Sequence, residues 1–556
     1  MTDIDPITAS VVRHRLVGTV EEMGEAMLRT SFSQILNSSR DFSTAICDAE
    51  GRLVAQAEHI PVHVGALPTG VVAVMETFGG DVHPGDVFLL NDPYHGGSHL
   101  PDLTAFVPVF VDGELAFWTI NRAHHSDIGG ATHGAYNAAA EEIWHEGLRV
   151  PPLRLYDRGE VRQDLLHMLA VNVRHPRDFK GDLYAQIGSV HLGERRLTAL
   201  VEEFGAGTVH AAVEHILDAA EREARDIIRG WKDGVYRGQA VLDDDGRGHD
   251  DITIRATVTV KGAQLRVDLS ESDKQVQSFL NSSYANMRSA VAMALAFLFD
   301  PHTPKNDGAL RPLEIIAKEG TIVWAKAGAP VALSTSHCAQ EIIEAVVDAL
   351  SAACPERTMA GWGRRLRIAI KGDDPRSAQP FIWHLFHARP GAGACCGGDG
   401  WHGSGEWHCA GGLKFGSVEV AEVRFPLLFK RHEYLTDSGG RGEYMGGAGC
   451  SLELALETDT ACVANTAGDG LRHGARGLMG GEDGRPHRYV LHRPGEEPLP
   501  LASKQEGVHV PARFTFEVHS GGGGGWGEPA KRRQAAIDDD VRNGFVTARA
   551  ARKMRS

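Results

Sequence analysis

The spacing of apolar residues changes its period near residue 233, and this change restricts the possible fold more than any other feature of the chain. Between residues 160 and 232 the spacing is helical, whereas residues 252–260 alternate apolar with polar side chains, as a half-buried strand does. Lys261-Gly262 then turns the chain, and the alternation continues through Leu269. Because both periods occur intermixed, the sequence predicts an α+β protein with several lobes, built from mixed helices and mostly antiparallel sheets.

The same patterns predict further elements and a division of the chain. A first helix begins after Asp5-Pro6, because Asp can cap a helix and Pro fits its first turn. Other helices are predicted at residues 165–173, 182–204, 211–231, 281–299 and 340–353. The helix at 340–353 is expected to be amphipathic, and the tail at 530–556 is expected to form one or two basic helices. Strands are predicted at 44–57 (two, around a turn), 87–90, 106–110, 115–120, 417–425 and 451–457. We therefore expect an N-terminal lobe (1–232), a central α/β lobe (233–390), a Gly-rich β lobe (391–528) and a helical tail (529–556).

Charge and composition exclude several classes of protein. The net charge of −16 argues against a nucleic-acid binder, which normally shows a basic face. The longest apolar run, residues 290–299, is shorter than the roughly 20 residues that a membrane span needs. The first residues lack the basic and apolar stretches of a signal peptide, and the eight cysteines include no CxxC pair. These features predict a cytoplasmic protein with reduced thiols and no membrane partner.

Two short polar segments contain the side chains most suited to chemistry. His99 and Asp102 lie three residues apart in a Gly-rich loop at 91–104, and His124 follows the strand-like run at 116–120. Imidazole and carboxylate groups are suitable ligands for Zn, Mn or Fe(II). Three protein ligands leave one coordination position of the metal ion open for water, as in a catalytic metal site. The alternative is that these side chains only stabilise loops, because a chain with 28 histidines contains such pairs by chance.

Other candidates have alternative interpretations. His59 and His63 flank Pro61, which disfavours a helix, so they are pocket-lining or structural residues in our interpretation, with metal ligation as the alternative. Asp41 could be a further ligand or an ion-pair partner of Arg40. No GxxxxGK[ST] phosphate loop is present, and the Gly-rich run at 391–405 lacks the preceding strand of a dinucleotide-binding fold.

The chain resembles, over essentially its full length, the B-subunit family of ATP-dependent hydantoinases and oxoprolinases. The motifs that carry the resemblance are Ser39-Arg40-Asp41-Phe42-Ser43, Gln56-Ala57-Glu58-His59-Ile60-Pro61-Val62-His63, Asn91-Asp92-Pro93-Tyr94, Gly96 to Asp102, Ala123-His124-His125, Asp127-Ile128-Gly129-Gly130, Glu146-Gly147-Leu148, Pro151-Pro152, Asn172-Val173-Arg174, Gly181-Asp182-Leu183, Asp399-Gly400-Trp401, Asp437-Ser438-Gly439-Gly440, and Gly521 to Trp526 with the tail. This resemblance implies a hydantoinase B-like fold. It also implies that the N-terminal lobe binds the metal ion and contains the catalytic residues.

The resemblance also implies roles for individual residues. One divalent metal ion (Zn, Mn or Fe) is expected on Asp41, His99, Asp102 and His124, with Asp127 orienting a ligand imidazole. His125 or His95 is expected to move protons. The candidates for substrate binding are His59, His63, Arg122, Asp399 and Trp401, each with a structural role as the alternative. The sequence departs from the family pattern at Ser334 to Cys338 and at Cys395-Cys396, two segments that bear on the choice of substrate.

The family further implies a partner and a reaction. A separate hydantoinase A-type ATPase subunit is expected to phosphorylate the amide oxygen of a small cyclic substrate, which accounts for the missing ATP motif. The chain resembling the B component would then open the ring, with ATP used only through the partner of this hetero-oligomer. Two alternatives stay open. The chain could be a subunit of an ATP-dependent ketone carboxylase of the acetone or acetophenone type, or a non-catalytic scaffold.

Overall fold

Helices and strands follow one another in the mixed order that the sequence predicts. The computed structural model describes residues 4–57, 59–414, 416–458 and 460–554. Glu58 of the second motif and the outermost residues of the predicted first lobe and tail (1–3 and 555–556) lie outside the described residues. The helices are α1 (Pro6–Thr30), α2 (Gln34–Asn37), α3 (Leu67–Phe78), α4 (Gln163–Val171), α5 (Pro176–Phe204), α6 (Ala206–Arg229), α7 (Tyr284–Leu298), α8 (Asp307–Leu310), α9 (Ala339–Leu350), α10 (Val418–Arg424), α11 (Gln534–Arg542) and α12 (Ala548–Met554).

The strands form four sheets within the described residues. The strands are β1 (Phe42–Asp48), β2 (Leu53–Ala57), β3 (Val87–Leu90), β4 (Asp102–Val111), β5 (Glu114–His124), β6 (Leu153–Asp157), β7 (Glu160–Val161), β8 (Gly234–Asp244), β9 (Asp250–Lys261), β10 (Gln264–Asp268), β11 (Leu313–Ile316), β12 (Ile368–Asp374), β13 (Gln379–His384), β14 (Leu427–Tyr434), β15 (Cys450–Leu456), β16 (Cys462–Ala467), β17 (Arg488–His492), β18 (Leu499–Pro500), β19 (Lys504–Val510) and β20 (Thr515–His519). The orders are β2-β1-β5-β4-β3-β6-β7, β11-β10-β9-β8, β13-β12-β16-β19 and β14-β15-β20-β17-β18. Within them only β10 and β11 pair in parallel, so the predicted α+β class with mostly antiparallel sheets is confirmed.

The first helix shows how the sequence pattern becomes packing. The Asp5 side chain accepts a hydrogen bond from the Thr8 N–H, and Pro6 occupies the first turn of α1. The predicted apolar stripe is fully buried against α5 and the large sheet; its members are Val12, Leu16, Val20, Met23 and Met27. Burial of each such side chain contributes roughly 1.5–3 kcal/mol.

The largest hydrophobic core joins segments that lie far apart in the sequence. It includes Met27 and Phe42 from the first part of the chain, Val258 and Met287 from the second, and Trp407 from the third. These parts therefore share buried surface. The exact division at residues 232, 390 and 528 stays a prediction.

One predicted strand is a helix in the structure, and one predicted helix has a buried polar face. Residues 417–425 were expected to form a strand, but Val418–Arg424 is helix α10, capped by the Ser417 hydroxyl, which accepts from the Val420 N–H. The alternation of Val and Glu misleads here because Val420 and Val423 are exposed, so no buried face requires a strand. Helix α9 is amphipathic as predicted, but its polar face is not exposed: Glu341 and Glu344 are buried, where Arg364 pairs with both carboxylates.

The Gly-rich segments pack backbone directly against backbone. The Gly523 N–H donates to the Gly447 carbonyl (2.9 Å), and the Gly447 N–H donates to the Ala392 carbonyl (2.8 Å). A Cβ atom on Gly523 would lie 1.9 Å from the Ala392 oxygen, and one on Gly446 would lie 1.9 Å from the Gly523 oxygen. The glycines are therefore required by the close approach of neighbouring chain segments to each other.

Two further sequence features can be placed in the structure. All eight cysteines are free thiols, and Cys396 is exposed. Among the described helices, none combines the length and the apolar character that crossing a bilayer requires.

Buried neutral histidines predict a loss of stability in acid. Burial lowers the pKa of His133, His387 and His487 to about 4 and that of His384 to about 3. In the unfolded chain the pKa is about 6.5, so as the pH falls below that value the unfolded state takes up protons that the folded state does not. We expect the free energy of unfolding to fall by about 1.4 kcal/mol per pH unit for each such group between about pH 6.5 and about pH 4.

Urea denaturation at several pH values between about 7.5 and 5 measures this loss. The urea midpoint should decrease steadily below about pH 6.5. A midpoint that stays constant down to about pH 5 would contradict the buried neutral state of these histidines.

Candidate metal centre

Strand pairing brings the predicted metal ligands to one end of the large sheet. Asp102 is the first residue of β4 and lies opposite His124, the last residue of β5. The His124 N–H donates to the carbonyl of Asp41 (3.0 Å), the residue that precedes β1. His99 lies one turn before Asp102, whose N–H donates to the His99 carbonyl (3.1 Å). The sequence pattern predicted that Asp102 and His124 lie in loops, but strands β4 and β5 extend to include them. The strands can continue past the polar residue Arg122 because its buried side chain donates a hydrogen bond from β5 to Thr104 of β4.

The side chains of these residues converge. His99 Nε2 lies 2.9 Å from Asp102 Oδ1, and His124 Nδ1 lies 3.1 Å from the same oxygen. The three residues are buried and each offers a ligand atom within 4.8 Å of the other two. His63 joins them, because its Nε2 lies 3.5 Å from Asp102 Oδ2 and 3.6 Å from Asp41 Oδ1. The structure thus brings together the four predicted ligands and one of the predicted pocket residues.

A surrounding set of hydrogen bonds fixes the orientation of these side chains. His99 Nδ1 donates to the Ala332 carbonyl (2.6 Å), which leaves Nε2 to face Asp102. The Ser98 hydroxyl donates to Asp102 Oδ2 (2.6 Å). Such outer partners are typical of metal-ligating histidines and carboxylates, whose orientation they hold.

The electrostatics of the cluster suit a bound cation. Burial would raise the pKa of Asp102, but the neighbouring His99 and His63 hold it well below its usual range. Burial lowers the pKa of His63 despite the two carboxylates beside it. His99 Nε2 and His63 Nδ1 are buried without a hydrogen-bond partner among the described residues, although His99 Nε2 lies close to Asp102. Unpartnered imidazole nitrogens around an ionised carboxylate fit a divalent metal ion of the Zn, Mn or Fe(II) type.

The cluster opens into a small cavity of about 20 Å³. Three polar lining residues were missed by the sequence analysis: Tyr136, Arg365 and His408. The sequence signal for Arg365 is its place in Arg364-Arg365-Leu366-Arg367, where three cations precede an apolar stretch and must find partners if they are buried. Thr335 and Ser336 belong to the segment that departs from the family pattern, whereas Cys395 and Cys396 do not line this cavity.

The residues expected to move protons or to orient a ligand do not line the cavity. The His95 side chain is 54% exposed, and its Nδ1 lies 2.6 Å from Asp92. His125 is buried, with Nε2 2.8 Å from the Gln186 amide oxygen. Asp127 was expected to orient a ligand imidazole; instead its carboxylate accepts hydrogen bonds from the backbone N–H and the guanidinium of Arg174.

Most of the residues expected to bind substrate also have structural partners elsewhere. Arg122 is buried beside the cluster, where its guanidinium donates to the Thr104 hydroxyl and the His63 carbonyl. The His59 ring packs on Phe42, with ring centroids 4.4 Å apart. The structure does not bring Asp399 or Trp401 to this cavity: Asp399 pairs with Arg532 of the tail, and Trp401 is 73% exposed.

The family resemblance agrees with comparisons against known proteins. The sequence profile of the hydantoinase B/oxoprolinase family matches residues 5–529. The chain belongs to this family. The caprolactamase beta subunit of Pseudomonas jessenii is 36% identical over 99% of this chain and 96% of its own length. The B component of a putative D-/L-hydantoinase from Pseudomonas sp. (strain NS671) is 29% identical over 98% of this chain and 93% of its own length. The crystal structure of ATP-dependent caprolactamase from P. jessenii superposes with a TM-score of 0.92 at 34% identity, over 99% of this chain and 96% of the other.

Glu146, in one of the motifs shared with the hydantoinase B/oxoprolinase family, holds the cavity wall. Its two carboxylate oxygens accept from the N–H groups of Val331 and Ala332, each at 2.8 Å, and Ala332 in turn accepts from His99. Burial raises the pKa of Glu146 to about 8, against the effect of these two N–H groups. The carboxyl group therefore connects the loop at 331–332 to the orientation of the His99 ring.

Replacing Glu146 with Gln is expected to destabilise the protein by about 1–3 kcal/mol, because the amide NH2 cannot accept from the second N–H. Urea denaturation measures this change, with Glu160→Gln on the exposed strand β7 as the control that should alter the midpoint little. Equal midpoints for Glu146→Gln and the control would show that the carboxyl group does not hold the loop.

Proposed function

We propose that this chain is the B component of an ATP-dependent cyclic amidase, and that it opens the ring of a small cyclic amide activated by a separate A-type ATPase subunit. The observation that carries the proposal is the buried convergence of His99, Asp102 and His124 on a cavity. The relatives named as a caprolactamase beta subunit and as the B component of a hydantoinase support the substrate class.

In this proposal Asp41, His99, Asp102 and His124 hold one divalent ion of Zn, Mn or Fe. Such an ion, when bound, supplies Lewis-acid catalysis at the amide or phosphoryl oxygen. The His99 Nδ1–Ala332 hydrogen bond presents Nε2 to the ion, and the Ser98 hydroxyl holds Asp102. These outer hydrogen bonds keep the ligand set oriented before the substrate enters.

The remaining residues of the cavity position the substrate and exclude bulk water. His63 faces an oxygen of Asp41 and of Asp102 and so keeps both carboxylates turned toward the cavity. Ile60 and Leu333 are buried apolar residues of the lining, which limit the access of water to the reacting carbon. A site of this kind favours chemistry on a small activated substrate over chemistry on a polymer.

The expected reaction uses two water molecules for each activated substrate. Water adds to the carbon of the phosphorylated amide, the C–N bond breaks, and the nitrogen takes a proton, which opens the ring and leaves an acyl phosphate. A second water cleaves the acyl phosphate to a carboxylate and inorganic phosphate. Phosphorylation is needed because the oxygen of an unactivated amide is a poor leaving group and its carbon is a poor electrophile.

The need for a partner follows from this chain's sequence and its relatives. The sequence contains no phosphate-loop motif, so we assign ATP use to the A-type subunit of a hetero-oligomer. Two relatives carry names that mark them as one component of a larger enzyme, which fits such an assembly.

Coproduction of this chain with a hydantoinase A-type subunit from the same organism tests the proposal. The complex should open lactams or hydantoins only when ATP is present, which mass spectrometry of the products measures. Turnover should be the same with and without bicarbonate. A requirement for bicarbonate, with a carboxylated product, would instead identify a ketone carboxylase subunit, and turnover without any metal bound to this chain would favour the scaffold role.

A further inference from the structure

Three neighbouring arginines enter the protein interior, and one of them differs from the others. Arg364 pairs with Glu344 (2.7 Å) and with Glu341, and Arg367 pairs with Glu406 (2.9 Å). Arg365 has no carboxylate oxygen within 4.0 Å in the part of the chain that the structure describes, although only 7% of the residue is exposed. A buried guanidinium without a carboxylate partner is costly and calls for an explanation.

The surroundings of Arg365 compensate its charge only in part, through the Tyr136 hydroxyl and the more distant carboxylate of Glu406. One of its terminal nitrogens lies 2.8 Å from His408 Nε2, and its Nε has no hydrogen-bond partner among the described residues. The Tyr136 hydroxyl lies beside the guanidinium. Burial and the neighbouring Arg367 lower the pKa of Arg365, whereas ion pairing raises the pKa of Arg364 and Arg367 above the ordinary arginine value even though both are buried.

The position of Arg365 links this excess positive charge to the metal centre. Arg365, His408 and Tyr136 line the same cavity as His99 and His124. Arg365 is near enough for its charge to oppose the protonation of His124. The hydroxyl groups of Thr335 and Ser336 add neutral hydrogen-bonding groups to this lining.

We propose that Arg365, together with His408 and Tyr136, forms a subsite that binds an oxyanion of the substrate or product beside the metal centre. The inference rests on the proposed function and makes it more specific. The guanidinium fork matches phosphate and carboxylate oxygens in a bidentate manner. Two sources supply such an oxyanion: the phosphoryl group of the activated amide, which is released as inorganic phosphate, and the carboxylate of the ring-opened product.

Isothermal titration with inorganic phosphate and, separately, with acetate tests the subsite. The titrations use the full chain after chelator treatment, and again after loading with Zn, so that binding to the metal ion is measured apart from binding to arginine. The variants are Arg365→Met and Arg365→Lys. The control is Arg376→Met, because Arg376 is a half-exposed residue that pairs with Asp374 outside the cavity.

We expect chelator-treated wild-type protein to bind phosphate and Arg365→Met to bind it about ten- to a hundredfold more weakly. Arg365→Lys should recover part of the affinity, because it restores the charge but not the fork. Thermal unfolding should show Arg365→Met at least as stable as wild type, since the substitution removes an unpaired buried charge. A loss of affinity for acetate but not for phosphate would assign the subsite to the product carboxylate.

Equal phosphate and acetate affinities in wild type and Arg365→Met would overturn the inference, as would destabilisation by Arg365→Met without any change in affinity, because Arg365 would then be structural. The proposed function fails separately. If the complex opens no cyclic amide while binding of oxyanions still depends on Arg365, the subsite stands and the assigned reaction is wrong.

Discussion

Replacing His99 with alanine is expected to remove the bound metal and to lower ring opening by more than about 100-fold. In the proposed metal centre His99 supplies a nitrogen that is buried, lies 2.9 Å from Asp102 and is oriented by its bond to Ala332. Removal of the ring leaves the cluster without one of its three donors. Metal content by mass spectrometry and turnover in the complex with the A-type subunit measure the two effects.

The matched control is His14→Ala, because His14 lies on the exposed face of helix α1, away from the metal centre. The control should keep full metal content and turnover. The substrate-dependent ATPase activity of the partner should stay measurable in His99→Ala, which separates a lost metal centre from a failed assembly. Full ring opening by a His99→Ala variant would refute the ligand assignment, and wild-type protein that binds no Zn, Mn or Fe(II) would refute the metal centre itself.

Replacing Gly523 with alanine is expected to destabilise the protein by at least about 3 kcal/mol and to reduce the yield of folded protein strongly. The new methyl group would lie 1.9 Å from the Ala392 oxygen and 2.3 Å from its carbonyl carbon. The clash cannot be relieved by a rotation of a side chain, because the obstructing atoms belong to the backbone. Gly523 is also held by hydrogen bonds to Gly447 and Gly440, so a shift would break these bonds as well.

Gly188→Ala is the control for this substitution. Gly188 lies within helix α5, where a Cβ atom would meet no atom within 4 Å. Alanine should therefore be neutral or stabilising by roughly 0.5–1 kcal/mol, because it favours the helix and restricts the unfolded chain. Urea denaturation compares the variants. Similar midpoints for both substitutions would mean that the Gly-rich segments are not packed as closely as the structure describes.

The sequence by itself determined the local elements and part of the candidate metal centre. Helix α1 follows from the Asp5 cap and its apolar stripe, and strand β9 follows from strict alternation, because both patterns need only neighbouring residues to be recognised. His99 and Asp102 were predicted together since they lie on one turn. His124 was a candidate from its place after a strand-like run, and the family resemblance made it and Asp41 ligands. The pairing of β4, β5 and β1 brings them to the same place.

Only the tertiary structure decided what surrounds this centre. Tyr136 reaches the cavity from one part of the chain and Arg365 and His408 from another, more than 200 residues later, and no local pattern relates them. Only the tertiary structure also shows that residues of α10 form a helix, because Val423 is exposed although its position in the sequence pattern predicts a buried strand residue. The same applies to Gly523, whose need for glycine comes from the Ala392 backbone more than a hundred residues away. The spacing of apolar residues along a chain shows which face of a helix or strand is apolar. The packing of distant segments decides which group pairs with a buried charge and which backbone atoms come into close contact.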